Sequence, residues 1–179
     1  MDAMRRRRII GILFMVEVAG ALPAMTCSVV GYRFNLTASA PRGLWRIEAM
    51  YRSAAVGDLV FICPPDTATF ENAFGRGYLG LGLCPGGLAP LLKTIAAIPG
   101  QHVTTGKDVV IDGKHLASSD IRHTDGQGRA VVPFAGGTIP QGYLFLHSTT
   151  ANSYDSRYFG PVPASGLLGY ARPIITFHF

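Results

Sequence analysis

Three stretches of the sequence contain side chains that could act together in nucleophilic catalysis. The first, residues 35–44, is rich in turn-forming residues and places Ser39 between two alanines. A serine hydroxyl attacks an amide carbonyl only when another group removes its proton, and that group is a histidine or, in one known class of site, the neutral amine of a lysine. Ser39 is therefore a candidate nucleophile that needs a base from elsewhere in the chain.

Lys93 is the candidate base because it lies inside an apolar run, residues 91–98. Burial disfavours the charged ammonium, so the pKa of a lysine in such a run falls below its ordinary value and free amine becomes available near neutral pH. The alternative is an edge-strand lysine whose side chain extends along the apolar surface to solvent.

The third stretch, residues 152–161, places an acid, a base and hydroxyl groups beside a Gly-Pro turn. Asp155 and Arg157 could pair and fix the loop through charge-assisted hydrogen bonds, and Ser153 or Ser156 could orient the lysine amine. The alternative is an exposed ion pair that contributes little to stability.

The amino-terminal segment predicts a membrane anchor. Four consecutive arginines, residues 5–8, precede a mostly apolar stretch over residues 9–30, which is about the length that spans a bilayer. Positive charge before the stretch places residues 1–8 in the cytoplasm and residues 31–179 on the outer side of the membrane. The alternative is a cleaved signal peptide ending near residues 21–24. Glu17 fits neither interpretation well, and Cys27 at the end of the stretch has no assigned role.

The composition indicates one folded, mostly β unit and disfavours a nucleic-acid binder. Of the 179 residues, 48% are hydrophobic and 15% charged, with 22 Gly and 12 Pro. The net charge of +5 owes much to the arginine cluster, and no basic stripe follows residue 8. The five histidines have no metal-ligand spacing, so the sequence implies neither a metal nor a cofactor.

Short apolar runs separated by turn residues predict strands throughout the exported part. One hairpin is clearly signalled, because Asp112-Gly113 between two such runs favours a type I′ turn. We predict one helix, at residues 67–76, and strands at residues 59–63, 91–98, 109–111, 115–117, 130–134, 143–147 and 170–178.

Two of the three cysteines lie in similar turn-rich surroundings. Cys63 precedes Pro-Pro and Cys84 precedes Pro-Gly-Gly. A disulfide between them fits an oxidising periplasm, and the alternative is two independently buried thiols.

Taken together, these motifs resemble the S26 signal-peptidase family, and most closely its conjugative branch, the TraF pilin-processing peptidases. The resemblance covers nearly the whole chain. It rests on Asn35-x-Thr37-x-Ser39-x-Pro41-x-Gly43-Leu44, Cys63-Pro64-Pro65, Cys84-Pro85-Gly86-Gly87, Lys93 with Ile98-Pro99-Gly100, and Asp155-x-Arg157-Tyr158-Phe159-Gly160-Pro161.

The resemblance implies a Ser/Lys catalytic dyad on a signal-peptidase-like β domain that follows one transmembrane helix. Ser39 would be the nucleophile and Lys93 the general base. Asp155 would be an acidic residue that the active site needs, with Arg157 as its partner.

Two further roles follow from the same resemblance. The hydroxyl of Thr37 would help to form the oxyanion hole with the backbone N–H of Ser39, and Ser153 would hydrogen-bond the lysine. The chain departs from the general signal peptidases at residues 147–151, where their Gly-Asp-Asn-Arg-Asp run is replaced by His-Ser-Thr-Thr-Ala.

The implied function is a membrane-anchored serine endopeptidase of the bacterial inner membrane, with its catalytic domain in the periplasm. Its substrate would be a conjugative pilin precursor, which it would cleave or cyclise for plasmid transfer beside other mating-pair formation proteins. The alternatives are a general type I signal peptidase and a non-catalytic assembly protein of the mating-pore apparatus.

Overall fold

A computed structural model of the chain describes residues 31–177. A boundary between two units of the chain falls between Arg33 and Phe34, and the candidate catalytic residues all lie after it. The predicted anchor, with Glu17 and Cys27, lies outside the described residues. Across residues 31–177, no helix combines the length and the apolar character needed to cross a bilayer.

The described chain is mostly β and contains two sheets. The larger sheet has seven strands in the order β1-β2-β11-β3-β4-β9-β10, and its pairs from β2 to β10 are antiparallel. Its strands are β1 (Tyr32–Asn35), β2 (Arg42–Glu48), β3 (Leu59–Ile62), β4 (Leu91–Ala97), β9 (Tyr143–His147), β10 (Val162–Pro163) and β11 (Leu167–Phe177).

The smaller sheet has four antiparallel strands in the order β7-β6-β5-β8. Its strands are β5 (His102–Thr105), β6 (Val109–Ile111), β7 (Lys114–His115) and β8 (Gly137–Thr138). The predicted hairpin is confirmed, because Ile111 pairs with Lys114 and the two residues between them, Asp112 and Gly113, both have positive φ.

The helical elements are short. The predicted helix is confirmed as α1 (Ala68–Gly75), which buries Phe70 and Ala73, and α2 covers Ser156–Phe159. Two 3-10 turns, Pro85–Gly87 and Ala164–Gly166, are the other helical elements of residues 31–177.

The strand predicted at residues 130–134 is wrong. Ala130 makes a single bridge with Thr124, and Phe134 donates its N–H to the carbonyl of Arg157 at 2.8 Å. The segment is tied to a loop on one side and to α2 on the other, and it does not join a ladder.

Strand β2 was not predicted, because residues 35–44 read as a turn-rich segment. Residues 42–48 instead pair with the carboxyl-terminal half of β11. Gly43 has φ of 145°, and a Cβ there would collide with the carbonyl oxygen of Ile175. Glycine is therefore required where β2 approaches β11 closely.

Strand β4 contributes to all three hydrophobic clusters of the described chain. Leu91 and Ile95 belong to the largest cluster, Leu92 to a second, and residues 96–97 to the third. Alternation along the strand places Lys93 on the same face as Leu91 and Ile95. The candidate base therefore sits on the strand around which the interior is organised.

Cys63 and Cys84 form a disulfide, with their Cα atoms 5.4 Å apart, inside the usual range for such bonds. The bond joins the end of β3 to the turn before Pro85 and closes a loop that contains α1.

We expect the Cys63→Ser/Cys84→Ser double variant to unfold with a free energy about 3 kcal/mol lower than wild type, because a crosslink over a loop of this size restricts the unfolded chain. Urea denaturation with and without reductant measures the change. Reductant should destabilise wild type and leave the double variant unaffected; equal stability of the two proteins without reductant contradicts the prediction.

Candidate active site

The turn that carries Ser39 is folded around the side chain of Asn35. The Asn35 amide group donates to the carbonyls of Thr37 (3.1 Å), Ala40 (3.0 Å) and Pro41 (3.1 Å), and its oxygen accepts from the N–H of Thr37 (3.2 Å). Asparagine side chains commonly satisfy nearby backbone groups in this way. Asn35 is the first residue of the motif at residues 35–44, but the sequence did not predict that its side chain would form the centre of the turn.

Two hydroxyl groups of the turn are in contact. Thr37 Oγ1 donates to Asn35 Oδ1 at 2.8 Å and lies 3.1 Å from Ser39 Oγ. A hydroxyl has one proton, so Ser39 is the donor to Thr37 in this arrangement. The backbone N–H of Ser39 has no hydrogen-bond partner among residues 31–177.

Lys93 is buried on β4, with 4% of its surface exposed. Its Nζ donates to Ser153 Oγ at 2.5 Å, so the side chain does not extend to solvent. Burial lowers the pKa of Lys93 to about 8; the charge of Asp155 acts against this shift and that of Arg157 adds to it. Ser156, the other serine considered for the lysine, accepts instead from the N–H of Leu146 at 2.8 Å.

Asp155 and Arg157 form a bidentate ion pair, at 2.8 Å (Nε to Oδ1) and 2.9 Å (Nη2 to Oδ2), and both side chains are fully buried. Asp155 also caps the start of α2 by accepting the N–H of Arg157. The guanidinium donates further to the carbonyls of Asp120, Thr150 and Ser153. The pair therefore fixes the loop that presents the Ser153 hydroxyl to the lysine.

The segment before this ion pair reaches the nucleophile turn. Ser148 Oγ donates to the carbonyl of Ser39 at 2.5 Å, and Thr150 Oγ1 donates to the carbonyl of Ala38 at 2.9 Å. The N–H of Ser148 donates to Asp155 Oδ2 at 3.0 Å. Neither Ser148 nor Thr150 is among the residues predicted from the sequence, and the one signal that could have indicated them is the run of hydroxyl residues between β9 and α2.

These contacts connect all six catalytic and orienting candidates, but they do not join the nucleophile directly to the base. Ser39 Oγ contacts Thr37, Lys93 Nζ contacts Ser153, and the described chain has no hydrogen bond between Ser39 and Lys93. The link between them runs through Ser148 and the ion pair.

No histidine among residues 31–177 takes part in the hydrogen bonds of Ser39, Thr37, Lys93 or Ser153 described above. His147, on β9, is buried and lies 3.2 Å from the carbonyl of Ser118, and burial lowers its pKa. No group of three metal-binding side chains occurs in the described range. A buried amine that is linked through hydrogen bonds to a structured hydroxyl turn has the elements of base-assisted nucleophilic attack.

The family model for signal peptidase, peptidase S26, matches residues 6–176. The chain belongs to the peptidase S26 family. This S26 chain is 55% identical over 177 residues to conjugal transfer protein TraF of Agrobacterium tumefaciens (strain 15955), covering 98% of this chain and 99% of that protein.

A second relative and one solved structure are also similar to this S26 chain. It is 58% identical over 147 residues to conjugal transfer protein TraF of Agrobacterium fabrum (strain C58), covering 82% of this chain and 84% of that protein. A signal peptidase I structure from Enterococcus faecalis V583 is 19% identical, covers 68% of this chain and 98% of that chain, and has a TM-score of 0.42. The family match and the TraF relatives confirm the resemblance that the motifs indicated.

We expect Asp155→Asn to lower the free energy of unfolding by about 3–5 kcal/mol, because it leaves the buried Arg157 charge without its partner. Glu48→Gln is the matched control. It breaks the Glu48–Arg172 pair, which is partly exposed, and should cost less than about 1 kcal/mol. Chemical denaturation of both variants measures the difference, and similar losses would show that the buried pair does not stabilise the loop.

Proposed function

We propose that this S26 chain is a serine endopeptidase in which the neutral amine of Lys93 is the general base for Ser39. One observation carries the proposal: Lys93 is buried, its pKa is lowered to about 8, and its Nζ is held by Ser153. A lysine in this state is partly neutral at physiological pH and can accept a proton.

In the first step, Lys93 Nζ takes the proton of Ser39, and Ser39 Oγ forms a bond to the carbonyl carbon of the scissile peptide. This requires Ser39 to exchange its contact with Thr37 for one with Lys93. Catalytic hydrogen bonds commonly form only in the substrate complex, so we assign the exchange to substrate binding.

The negative charge that develops on the carbonyl oxygen needs hydrogen-bond donors. The N–H of Ser39 is one candidate, because it has no partner among residues 31–177. The hydroxyl of Thr37 is the second, and it would have to turn away from Asn35 Oδ1 to donate. Preorganised donors at this position typically contribute about a hundredfold to a thousandfold in rate each.

In the second step the C–N bond breaks, and the ammonium of Lys93 returns its proton to the leaving amine. The product is an ester between Ser39 and the acyl part of the substrate. Attack by water hydrolyses this ester, whereas attack by the amino terminus of the same substrate chain closes a cyclic product.

We propose a conjugative pilin precursor as the substrate. The support is that relatives covering nearly the whole chain are named conjugal transfer proteins. We further propose that residues 9–30 anchor the protein in the bacterial inner membrane with the catalytic domain in the periplasm. The arginine cluster before the apolar stretch and the Cys63–Cys84 disulfide both support this orientation.

We expect Ser39→Ala and Lys93→Ala to abolish processing when the full chain is co-expressed with the pilin precursor of its own transfer region. Ser53→Ala and Lys114→Met, which change exposed residues of the same types, are the matched controls and should process normally. Mass spectrometry of the pilin distinguishes intact precursor, cleaved product, and a cyclic product lighter by one water.

Two outcomes of this experiment would indicate a rival function. Normal processing by both Ser39→Ala and Lys93→Ala would replace the peptidase with a non-catalytic assembly protein. Processing of many unrelated exported precursors, with no preference for the pilin, would indicate a general signal peptidase.

We expect kcat/KM to rise with pH, about tenfold per pH unit below a midpoint near 8, and then to level off. The sign follows from the role of Lys93, because only the unprotonated amine accepts the serine proton. Initial cleavage rates of the full chain in detergent across pH 6–10 measure the profile. A rate that falls as pH rises through 8 would contradict the role of base.

A further inference from the structure

Two hydroxyl side chains between β9 and α2 hold consecutive carbonyl groups of the nucleophile turn. Thr150 Oγ1 donates to the carbonyl of Ala38, and Ser148 Oγ donates to the carbonyl of Ser39. The partners are more than a hundred residues apart in sequence. These contacts therefore set the position of the turn relative to the rest of the site.

The bond from Thr150 has a specific consequence for Ser39. The carbonyl of Ala38 and the N–H of Ser39 belong to one planar peptide group, in which the oxygen and the hydrogen point in opposite directions. Fixing the oxygen toward Thr150 therefore aims the N–H of Ser39 the other way. That N–H has no partner among residues 31–177, so it is available to a ligand.

The backbone that carries the two side chains is held by the buried ion pair. The N–H of Ser148 donates to Asp155, the carbonyl of Thr150 accepts from Arg157, and the N–H of Thr150 donates to Ser148 Oγ at 3.2 Å. Because the Asp155–Arg157 pair is fully buried, the backbone at Ser148 and Thr150 cannot shift without disturbing it.

We propose that Thr150 is a positioning residue that aims the Ser39 N–H at the developing oxyanion, and that Ser148 fixes Ser39 through its carbonyl. This inference rests on the proposed peptidase function and adds two residues to its machinery. Neither residue contacts the reacting atoms, and each acts through the backbone of the nucleophile turn.

The test uses the full chain in detergent with the pilin precursor as the probe. Thr150→Val preserves the shape of the side chain but removes the hydroxyl, and we expect kcat to fall about ten- to a hundredfold with KM unchanged. The pH midpoint should also stay unchanged, because the base is not altered. Thr150→Ser restores the donor and should recover most of the rate.

Thr149→Val is the matched control, because it makes the same change at the neighbouring exposed position. It should leave kcat and KM at wild-type values. Ser148→Ala removes the second hydroxyl while keeping the backbone contact to Asp155, and should also lower kcat alone. If Thr150→Val fails to fold, the kcat of Ser148→Ala tests whether these hydroxyl groups position Ser39.

Several results would overturn the inference: wild-type kcat in Thr150→Val, no recovery in Thr150→Ser, or a loss that follows the melting temperature of each variant. Different results would refute the proposed function: an active Ser39→Ala variant or an inactive wild-type protein. An inactive Ser39→Ala together with matching rates for Thr150→Val and Thr149→Val would refute the positioning role alone.

Discussion

The arrangement of the site depends on one buried ion pair, Asp155–Arg157. Two opposite charges with no exposed surface are stable only when their remaining hydrogen-bonding groups are satisfied. The pair meets this condition by binding backbone groups of the surrounding loops, among them the N–H of Ser148 and the carbonyls of Thr150 and Ser153. Satisfying the charges therefore also places the side chains that reach Ser39 and Lys93.

Lys93 illustrates how the fold and the chemistry constrain each other. An ammonium group in the interior is costly, and a lysine in a stable strand would ordinarily be replaced by an apolar residue. In the proposed mechanism the same burial makes the amine a usable base, because burial lowers its pKa. The hydroxyl of Ser153 gives the amine a polar partner, so the group is not left unsatisfied. Under this proposal, the burial that costs stability at Lys93 is also what makes its amine reactive.

Sequence alone predicted the parts of the structure that local pattern determines. Mostly apolar runs identified strands such as β4 and β9, and Asp112-Gly113 identified a hairpin. Strand β2 was missed because it mixes charged and apolar residues and owes its conformation to pairing with β11. Residues 130–134 are the opposite case. Their local pattern is typical of a strand, but they pair with no strand of the described chain.

The candidate site also contains residues that the sequence indicated and residues that it did not. Their residue types and the apolar context of the lysine made Ser39 and Lys93 candidates, and the resemblance of the combined motifs to the S26 family gave them their predicted roles. The proposed roles of Ser148 and Thr150 depend on hydrogen bonds between residues more than a hundred positions apart in sequence. No local signal encodes such contacts, because a hydroxyl in a loop has the same appearance whether it faces solvent or a distant carbonyl.

The ionisation state of Lys93 is the central claim, and it can be measured directly. The chain has three lysines, at positions 93, 107 and 114, so NMR of the protein with 13C-labelled lysine side chains gives a tractable spectrum. The Lys93 signal is assigned by its absence from the Lys93→Met variant and followed as pH is raised. A titration midpoint near 8 is the predicted result. A signal that stays in the ammonium form beyond pH 10 would contradict the role of Lys93 as general base.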